Sequence, residues 1–288
     1  MPLAAIPGTF QVIGASPDGD SVRFRPDDPD AFANAGIKAR TNSSGAAQLR
    51  LDAIDALETH YTPRSAPHPW RQPADLGDGA ATALLDLLGF SDVQRDERGI
   101  VTAATPETRP GYILSRFADK YGRAVSFAYA GKRRGGASGS VYLEVPELRR
   151  SVNHQLLSAG WVYPTFYSLL YVDLREELAS VSVAARAARK GVWTHDSTLT
   201  GFGLKSRDQI QNQLVILPKL FRRLADYLTL DEPSSVDLAG FPGFLEARND
   251  RIFTVPAGQA TSFATLVERR RQRLTLTLAP EQIVFLEA

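Results

Sequence analysis

Short runs in which polar and apolar residues alternate are the feature that most constrains the fold of this chain. Residues 9–14 and 21–25 alternate in this way around an Asp-Gly turn, which predicts a β-hairpin. Residues 47–55 continue the strand pattern, and further strand runs lie at 112–117, 124–130 and 141–145. Because a period of two gives each strand one inward face, these runs predict a five-stranded β-barrel.

Helical signals lie between and after the predicted strands. Apolar residues recur at helical spacing and end at a glycine in three segments: 80–88, 152–159 and 174–189. The stretch 91–110 is polar and predicts irregular structure, and a glycine-rich loop is expected at 131–140. The first part of the chain is therefore predicted to be an α+β barrel with three helices.

The second part of the chain predicts a smaller α+β domain. We expect a first domain over 1–195, a linker over 196–208 and a C-terminal domain over 209–288. Within the C-terminal domain the pattern predicts these elements in order: helix 209–228, strand 252–255, helix 262–271, and strands 274–278 and 282–286. Its role is open, and oligomerisation or docking of a protein partner are the two hypotheses.

Composition excludes some classes of protein and leaves others open. The 288 residues include no cysteine, which excludes disulfides and thiolate metal sites. No segment has the roughly 20 consecutive apolar residues of a membrane span, and no signal-peptide pattern appears. We therefore expect a soluble, cytoplasmic protein with no membrane partner. The net charge of +1 neither requires nor excludes a polyanionic substrate.

A group of acids and arginines indicates phosphoryl chemistry. Asp55 ends a predicted strand and Glu58 follows three residues later, while Asp20 lies in the hairpin turn. Carboxylates that lie close together can share a hard divalent cation. Arg50 on the same strand, and Arg123 after a Tyr-Gly turn, are suited to bind phosphate oxygens. This set favours hydrolysis of a phosphodiester by water over acyl transfer.

Five segments together resemble the staphylococcal nuclease (thermonuclease) family. They are DGDSV at 18–22, RLDAIDALE at 50–58, DKYGR at 119–123, VNHQLLSAGWVY at 152–163 and ARKGVW at 188–193. They occur in the order of the family's motifs, over about two thirds of the chain. The resemblance implies a five-stranded OB-fold barrel with three helices, which agrees with the strand pattern.

The resemblance also implies a metal centre and a general base. Asp20, Asp55 and the backbone carbonyl of Ala56 would hold Ca²⁺ or another divalent cation. Glu58 would act as general base on the attacking water. In one respect the chain departs from the family, because Leu57 stands where a proline usually precedes the acid. The loss of that rigid turn makes the position of Glu58 a question for the structure.

Substrate contacts follow from the same resemblance. Arg50 and Arg123 would clamp the phosphate and stabilise charge in the transition state. Lys120, Tyr121 and Tyr163 match positions that contact the nucleotide, and a base would stack on the aromatic ring. The substrate would be DNA, RNA or both, cleaved by an endonuclease that leaves 3′-phosphates.

Two other hypotheses stand beside this metal-dependent hydrolase. A non-catalytic OB-fold module would keep the barrel and bind nucleic acid or protein without cutting. In the third hypothesis the C-terminal domain mediates a homo-oligomer or docks a protein partner, and it delivers or restrains the nuclease. The presence of all four residues Arg50, Asp55, Glu58 and Arg123 favours catalysis.

Overall fold

The computed structural model describes residues 2–133, 139–230 and 236–286. The central residues of the predicted glycine-rich loop lie outside these ranges. The strands are β1 Leu3–Gln11, β2 Ser21–Pro26, β3 Ala47–Leu51, β4 Ile54–Ala56, β5 Ser91–Arg95, β6 Val101–Thr105, β7 Thr108–Ala118, β8 Ala124–Ala130, β9 Gly139–Val141, β10 Val162–Pro164, β11 Phe166–Tyr167, β12 Phe202–Gly203, β13 Arg251–Thr254, β14 Ala260–Ser262, β15 Val267–Arg270, β16 Arg273–Leu276 and β17 Ile283–Phe285.

The helices lie between these strands along the chain. They are α1 Ala31–Asn34, α2 Ala74–Leu88, α3 Val145–Leu148, α4 Val152–Ala159, α5 Val172–Ala187, α6 Arg207–Asn212, α7 Pro218–Leu228 and α8 Phe241–Arg248. In the part of the chain that the structure describes, none of these helices is long and apolar enough to cross a lipid bilayer. The predicted α+β class is confirmed.

The chain divides by its internal contacts into two compact units. The barrel unit comprises Met1–Asp52 and Ala80–Leu156, and the second unit comprises Ala53–Gly79 and Leu157–Ala288. This division differs from the predicted one, because residues 53–79 and 157–195 group with the C-terminal residues. The predicted domain boundaries stay a prediction.

Five strands of the barrel unit close on themselves. Strands β1, β2, β3, β8 and β7 are hydrogen-bonded in that order, and β7 pairs back onto β1. Only the β3–β8 pairing is parallel, and the other four are antiparallel. The predicted five-stranded barrel is therefore confirmed, and its closure is compatible with an OB-type fold.

The barrel is filled by the apolar residues of the alternating runs. Phe10, Phe24, Leu49 and Leu51 are fully buried, and the two phenylalanine rings lie 5.1 Å apart. Gly111 on β7 leaves room for this aromatic pair, because a Cβ atom there would overlap the ring of Phe10. The strand period thus determines the packing as well as the secondary structure.

The prediction of irregular structure at 91–110 is wrong. Strands β5 and β6 form an antiparallel hairpin, and β7 already begins at Thr108. The side chains of β5 are exposed on both faces, so the segment shows no alternation. The Asp96 carboxylate accepts hydrogen bonds from the backbone N–H groups of Arg98 and Ile100, and this turn closes the hairpin.

The second unit is built around a hydrophobic core to which its helices and several short sheets contribute. Strands β11, β17, β13 and β14 form one sheet, β12, β16 and β15 form another, and β4 pairs with β10. The predicted helix at 262–271 is a short 3-10 turn at Phe263–Leu266 followed by β15. The predicted helix at 209–228 is interrupted before Pro218, which begins α7, because proline suits the first turn of a helix.

The segment 196–208, which the sequence predicts as a linker, is packed against its surroundings. Thr198 is fully buried, and its hydroxyl accepts a hydrogen bond from the backbone N–H of Leu217. Asp196 accepts a hydrogen bond of 2.7 Å from the hydroxyl of Tyr163. The segment also contributes β12, which pairs with β16. These polar contacts lie among the loop residues, where a composition rich in Ser, Thr and Gly gave no sign of burial.

Candidate functional site: a polar strand end in the barrel unit and an acid pair in the second unit

Strand register brings three of the predicted site residues together in the barrel unit. Arg50 on β3 lies opposite Ser21, the residue after Asp20, and the N–H of Leu51 donates to the Asp20 carbonyl at 2.8 Å. Leu49 pairs with Ala124, the residue after Arg123. The backbones of Asp20, Arg50 and Arg123 therefore lie close together, with Arg50 on β3 and the other two directly before the neighbouring strands β2 and β8.

Arg123 is positioned by the turn that precedes β8. The Asp119 carboxylate accepts hydrogen bonds from the backbone N–H groups of Tyr121 and Arg123 at 2.9 and 3.0 Å. Its second oxygen accepts from the Arg123 guanidinium Nε at 2.8 Å. Gly122 takes a φ of +81° in this turn, a conformation that glycine adopts without strain. Asp119 is thus a positioning residue for the arginine, a role that the sequence did not reveal.

An exposed aromatic ring flanked by cations lies in the same turn. The side chain of Tyr121 is 63% exposed. The Lys120 Nζ atom lies 5.4 Å from the centre of its ring, and the Arg123 guanidinium carbon lies 5.6 Å from it. An exposed ring between positive charges is suited to stack a base and contact its phosphate. The predicted nucleotide contacts at Lys120 and Tyr121 fit this arrangement.

The predicted acids of the site lie in the second unit. Asp55 and Ala56 belong to β4, where Asp55 is opposite Tyr163 and Ala56 is opposite Val162. Asp55 is buried, with 4% of the residue exposed. The turn that leads into β4 passes through Ala53 at a φ of +67°. Strand pairing therefore fixes the backbone of the predicted metal ligand.

Asp55 and Glu58 both bind the guanidinium of Arg222, which lies on α7 of the same unit. The Nη2 and Nη1 atoms of Arg222 donate to the two carboxylate oxygens of Asp55 at 2.7 and 3.0 Å. The Nη1 atom also donates to Glu58 Oε1. Burial alone lowers the pKa of Arg222, but the charges and hydrogen bonds of the two acids raise it well above its ordinary value. One permanent cation therefore serves two carboxylates.

Gln72 holds the loop that carries Glu58. The backbone N–H of Glu58 donates to the Gln72 side-chain oxygen at 3.2 Å, and the Glu58 carbonyl accepts from the Gln72 N–H at 2.7 Å. The Gln72 amide nitrogen donates to the Ile216 carbonyl at 2.8 Å. Leu57 is buried in the core. A buried side chain and a glutamine clamp thus fix the loop in which the family would carry a proline.

The structure places Tyr163 away from any role in stacking a base. The ring is fully buried and contacts Trp193 at a centroid distance of 4.8 Å. Its hydroxyl donates to Asp196, and burial, then the Asp196 charge and this hydrogen bond, raise the pKa of Tyr163 well above its ordinary value. The prediction of Tyr163 as a nucleotide contact does not fit these observations, because the core occupies both faces that a base would need.

The acids of the second unit do not fit a divalent cation in the arrangement described. Both oxygens of Asp55 already accept hydrogen bonds from Arg222, and one oxygen of Glu58 does so too. Among the residues that the structure describes, no group of three or more His, Asp or Glu side chains is placed to hold a metal ion. A hard cation such as Ca²⁺ takes about 6–8 oxygen ligands. Arg222 therefore binds the Asp55 oxygens that the resemblance assigns to the ion.

Besides the role of Asp119, sequence reasoning missed two residues of the acid pair's surroundings, Arg222 and Gln72. Arg222 had a weak signal, since it belongs to the Arg222-Arg223 pair in a helix that is otherwise strongly amphipathic. Gln72 had none, because it lies in a proline-rich loop with no recognisable motif. Each makes a contact more than 140 positions away in sequence, Gln72 with Ile216 at a separation of 144 and Arg222 with Asp55 at 167.

Comparison of the chain with models of known protein families and with curated protein sequences finds no match. The resemblance to staphylococcal nucleases thus depends on the five motifs and on the barrel.

Proposed function

We propose that this chain is a nuclease of the staphylococcal nuclease type, which hydrolyses phosphodiester bonds of DNA or RNA. The observation that carries the proposal is the strand register of a closed barrel, which places Arg50 on β3 beside the residues that directly precede β2 and β8, Asp20 and Arg123. These three residues belong to the motifs DGDSV, RLDAIDALE and DKYGR. Three separated motifs meeting in this way support a shared chemical role.

Arg50 and Arg123 bind the phosphate in the proposed reaction. Guanidinium groups stay charged at any working pH and match phosphate oxygens in bidentate geometry. Asp119 orients Arg123 through its Nε atom, and this leaves the two Nη groups of the guanidinium to reach an oxygen. The exposed ring of Tyr121 receives a base and Lys120 adds a further positive charge. A single-stranded substrate suits this ring, because its bases are free to stack.

Glu58 is the proposed general base. A carboxylate that takes a proton from the attacking water contributes about 10²–10⁴-fold to a rate. Gln72 holds the backbone of Glu58 by both its N–H and its carbonyl, which supports a fixed position for the base. The resemblance implies Ca²⁺ as well, but the Asp55 and Glu58 carboxylates do not fit that ion while they hold Arg222. We assign no step of the reaction to a metal.

A specific observation favours a second candidate function, a nucleic-acid-binding module without catalysis. The Arg222 guanidinium pairs with both acids, and an acid engaged in this way is less available to a water molecule. The exposed Tyr121 with its two flanking cations would still bind a single strand. Binding without cleavage would follow if Arg222 never leaves the acids.

Cleavage assays on the purified full chain distinguish the two functions. Single- and double-stranded DNA and single-stranded RNA are incubated with Ca²⁺, Mg²⁺, Mn²⁺ or EDTA, and product ends are tested for 3′-phosphate. We expect Arg50→Ala and Glu58→Gln each to lower the rate by about 10²-fold or more, while the exposed control Arg98→Ala leaves it unchanged.

If wild type does not cut, the same assay on Arg222→Met shows whether Arg222 prevents cleavage. If neither wild type nor Arg222→Met cuts any substrate under any of these conditions, catalysis is excluded. Retained binding of single-stranded DNA would then support the module without catalysis. Equal cleavage by wild type and Glu58→Gln would remove Glu58 from the mechanism.

A further inference from the structure

Packing of helix α7 fixes the position of Arg222 beside the acids. Leu220, Phe221 and Leu224 of α7 are fully buried in the core of the second unit. The helix contacts β4, the strand that carries Asp55. The side chain of Arg222 therefore extends from a packed helix, and its position does not depend on a mobile surface loop.

A second ion cluster fixes the same helix. Lys219 and Arg223 lie three residues before and one residue after Arg222, and both bind Asp250. The Arg223 Nε atom donates to Asp250 Oδ2 at 2.5 Å and Lys219 Nζ donates to Oδ1 at 3.0 Å. Asp250 lies between α8 and β13. The register of α7 on its neighbours is thus set on both sides of Arg222.

We propose that Arg222 is the resident cation of the Asp55–Glu58 pair and that it bars a divalent metal ion from these carboxylates. Both oxygens of Asp55 and one oxygen of Glu58 accept hydrogen bonds from its guanidinium. A metal ion that approaches the same oxygens must compete with the guanidinium, because the two cations repel each other and the guanidinium already binds both oxygens of Asp55. Metal binding therefore opposes the contact between Arg222 and the acid pair.

A consequence for catalysis rests on the proposed nuclease function. While Arg222 is in place, the oxygen of Glu58 that it binds is not available to a water molecule. The chain is then in a restrained state, and activity requires that Arg222 leave the acid pair. The C-terminal half of the chain would restrain the nuclease through this one side chain.

Calcium titration tests the inference directly. CaCl₂ is titrated into the full chain by isothermal calorimetry for wild type, Arg222→Met and Arg270→Met. Arg270 is an arginine of the same unit whose side chain is 80% exposed and pairs with Glu268 at 2.9 Å. Its replacement by methionine changes the net charge by the same amount. We expect Arg222→Met to bind Ca²⁺ at least about tenfold more tightly than the other two proteins. The double variant Arg222→Met/Asp55→Asn should lose that gain.

Arg222→Lys keeps the test decisive if Arg222→Met does not fold. A lysine keeps the charge but presents a single ammonium group, which cannot span both oxygens of Asp55 and Glu58 as a guanidinium does. We expect about a threefold or greater gain in Ca²⁺ affinity over wild type. Equal affinities in wild type and in the folded Arg222 variant would overturn the inference.

The two proposals fail in distinguishable ways. If Arg222→Met gains Ca²⁺ affinity but cuts no nucleic acid, the nuclease function is wrong and the inference stands. If wild type binds Ca²⁺ as tightly as Arg222→Met and both cut at the same rate, the function stands and the inference is wrong.

Discussion

Replacing Arg222 with methionine should destabilise the second unit by about 3–5 kcal/mol, because it leaves two carboxylates without their shared cation. The side chains of Asp55 and Glu58 are only 6% and 18% exposed, so solvent does not replace the lost guanidinium. Methionine keeps an unbranched apolar stem of similar length. The loss is therefore one of charge and hydrogen bonding more than of packing.

A double-mutant cycle isolates the pair from other effects of the substitution. Asp55→Asn keeps the shape of the side chain and leaves Arg222 bound to Glu58, so it should cost about 1–3 kcal/mol. The double variant Arg222→Met/Asp55→Asn should be more stable than the sum of the single losses by about 1.5–3 kcal/mol. We expect this high coupling because Asp55 accepts from both Nη atoms of the guanidinium.

Urea unfolding followed by tryptophan fluorescence measures these losses in the relevant unit. The chain has three tryptophans, Trp70, Trp161 and Trp193, and all of them belong to the second unit. The control Arg270→Met removes an exposed pair and should change the free energy of unfolding by less than about 0.5 kcal/mol. If Arg222→Met costs no more than this control, or if the cycle gives no coupling, the buried ion cluster described above does not exist in solution.

Two further predictions concern the supports of the site. Gln72→Leu leaves two main-chain groups without their partner, the N–H of Glu58 and the carbonyl of Ile216. The free energy of unfolding should fall by about 2–4 kcal/mol, and hydrogen exchange at the Glu58 N–H should become faster. The control Gln155→Leu, at an exposed position, should change the free energy of unfolding by less than about 0.5 kcal/mol. Burial alone raises the pKa of Asp250, but hydrogen bonding to Arg223 outweighs it and lowers that pKa from 3.8 to about 2. Because the folded pKa is the lower one, this stabilisation is complete above about pH 4 and is lost as pH falls towards 2. In acid titrations of stability, Asp250→Asn should lack a loss of about 2 kcal/mol that wild type undergoes, and equal losses would contradict the ion pair.

The barrel was predictable because the alternation of polar and apolar residues in each strand restricts the register in which the strands can pair. A one-residue slip of β1 or β3 would turn Phe10 or Leu49 out of the core, so the alternation itself selects the pairing. Asp20, Arg50 and Arg123 inherit their positions from that register. The barrel-unit part of the candidate site therefore follows from local pattern and from motifs of a few residues each.

The second unit was less predictable because long-range polar contacts specify it. Strand β17, near the end of the chain, pairs with β11, which lies before the predicted boundary at 195. Glu281 binds the guanidinium of Arg186 on α5, and this contact joins the same two parts of the sequence. Periodicity reports which face of an element is apolar, but it does not report which distant charge an arginine will meet.

The motif that contains Asp55 and Glu58 predicts a cation at these acids, but it does not predict which cation binds them. RLDAIDALE places Asp55 and Glu58 at the spacing that a cation site requires, and the pair in fact meets a cation in this structure, the guanidinium of Arg222. A guanidinium and a divalent ion satisfy the same carboxylates with different consequences. The guanidinium stabilises the fold and engages Glu58, whereas an ion would leave Arg222 without its partners. Leaving a buried charge unpaired costs several kcal/mol. A ligand that displaces Arg222 must therefore supply that free energy or offer the guanidinium another anion. A phosphate group of the substrate is an anion that a guanidinium binds well.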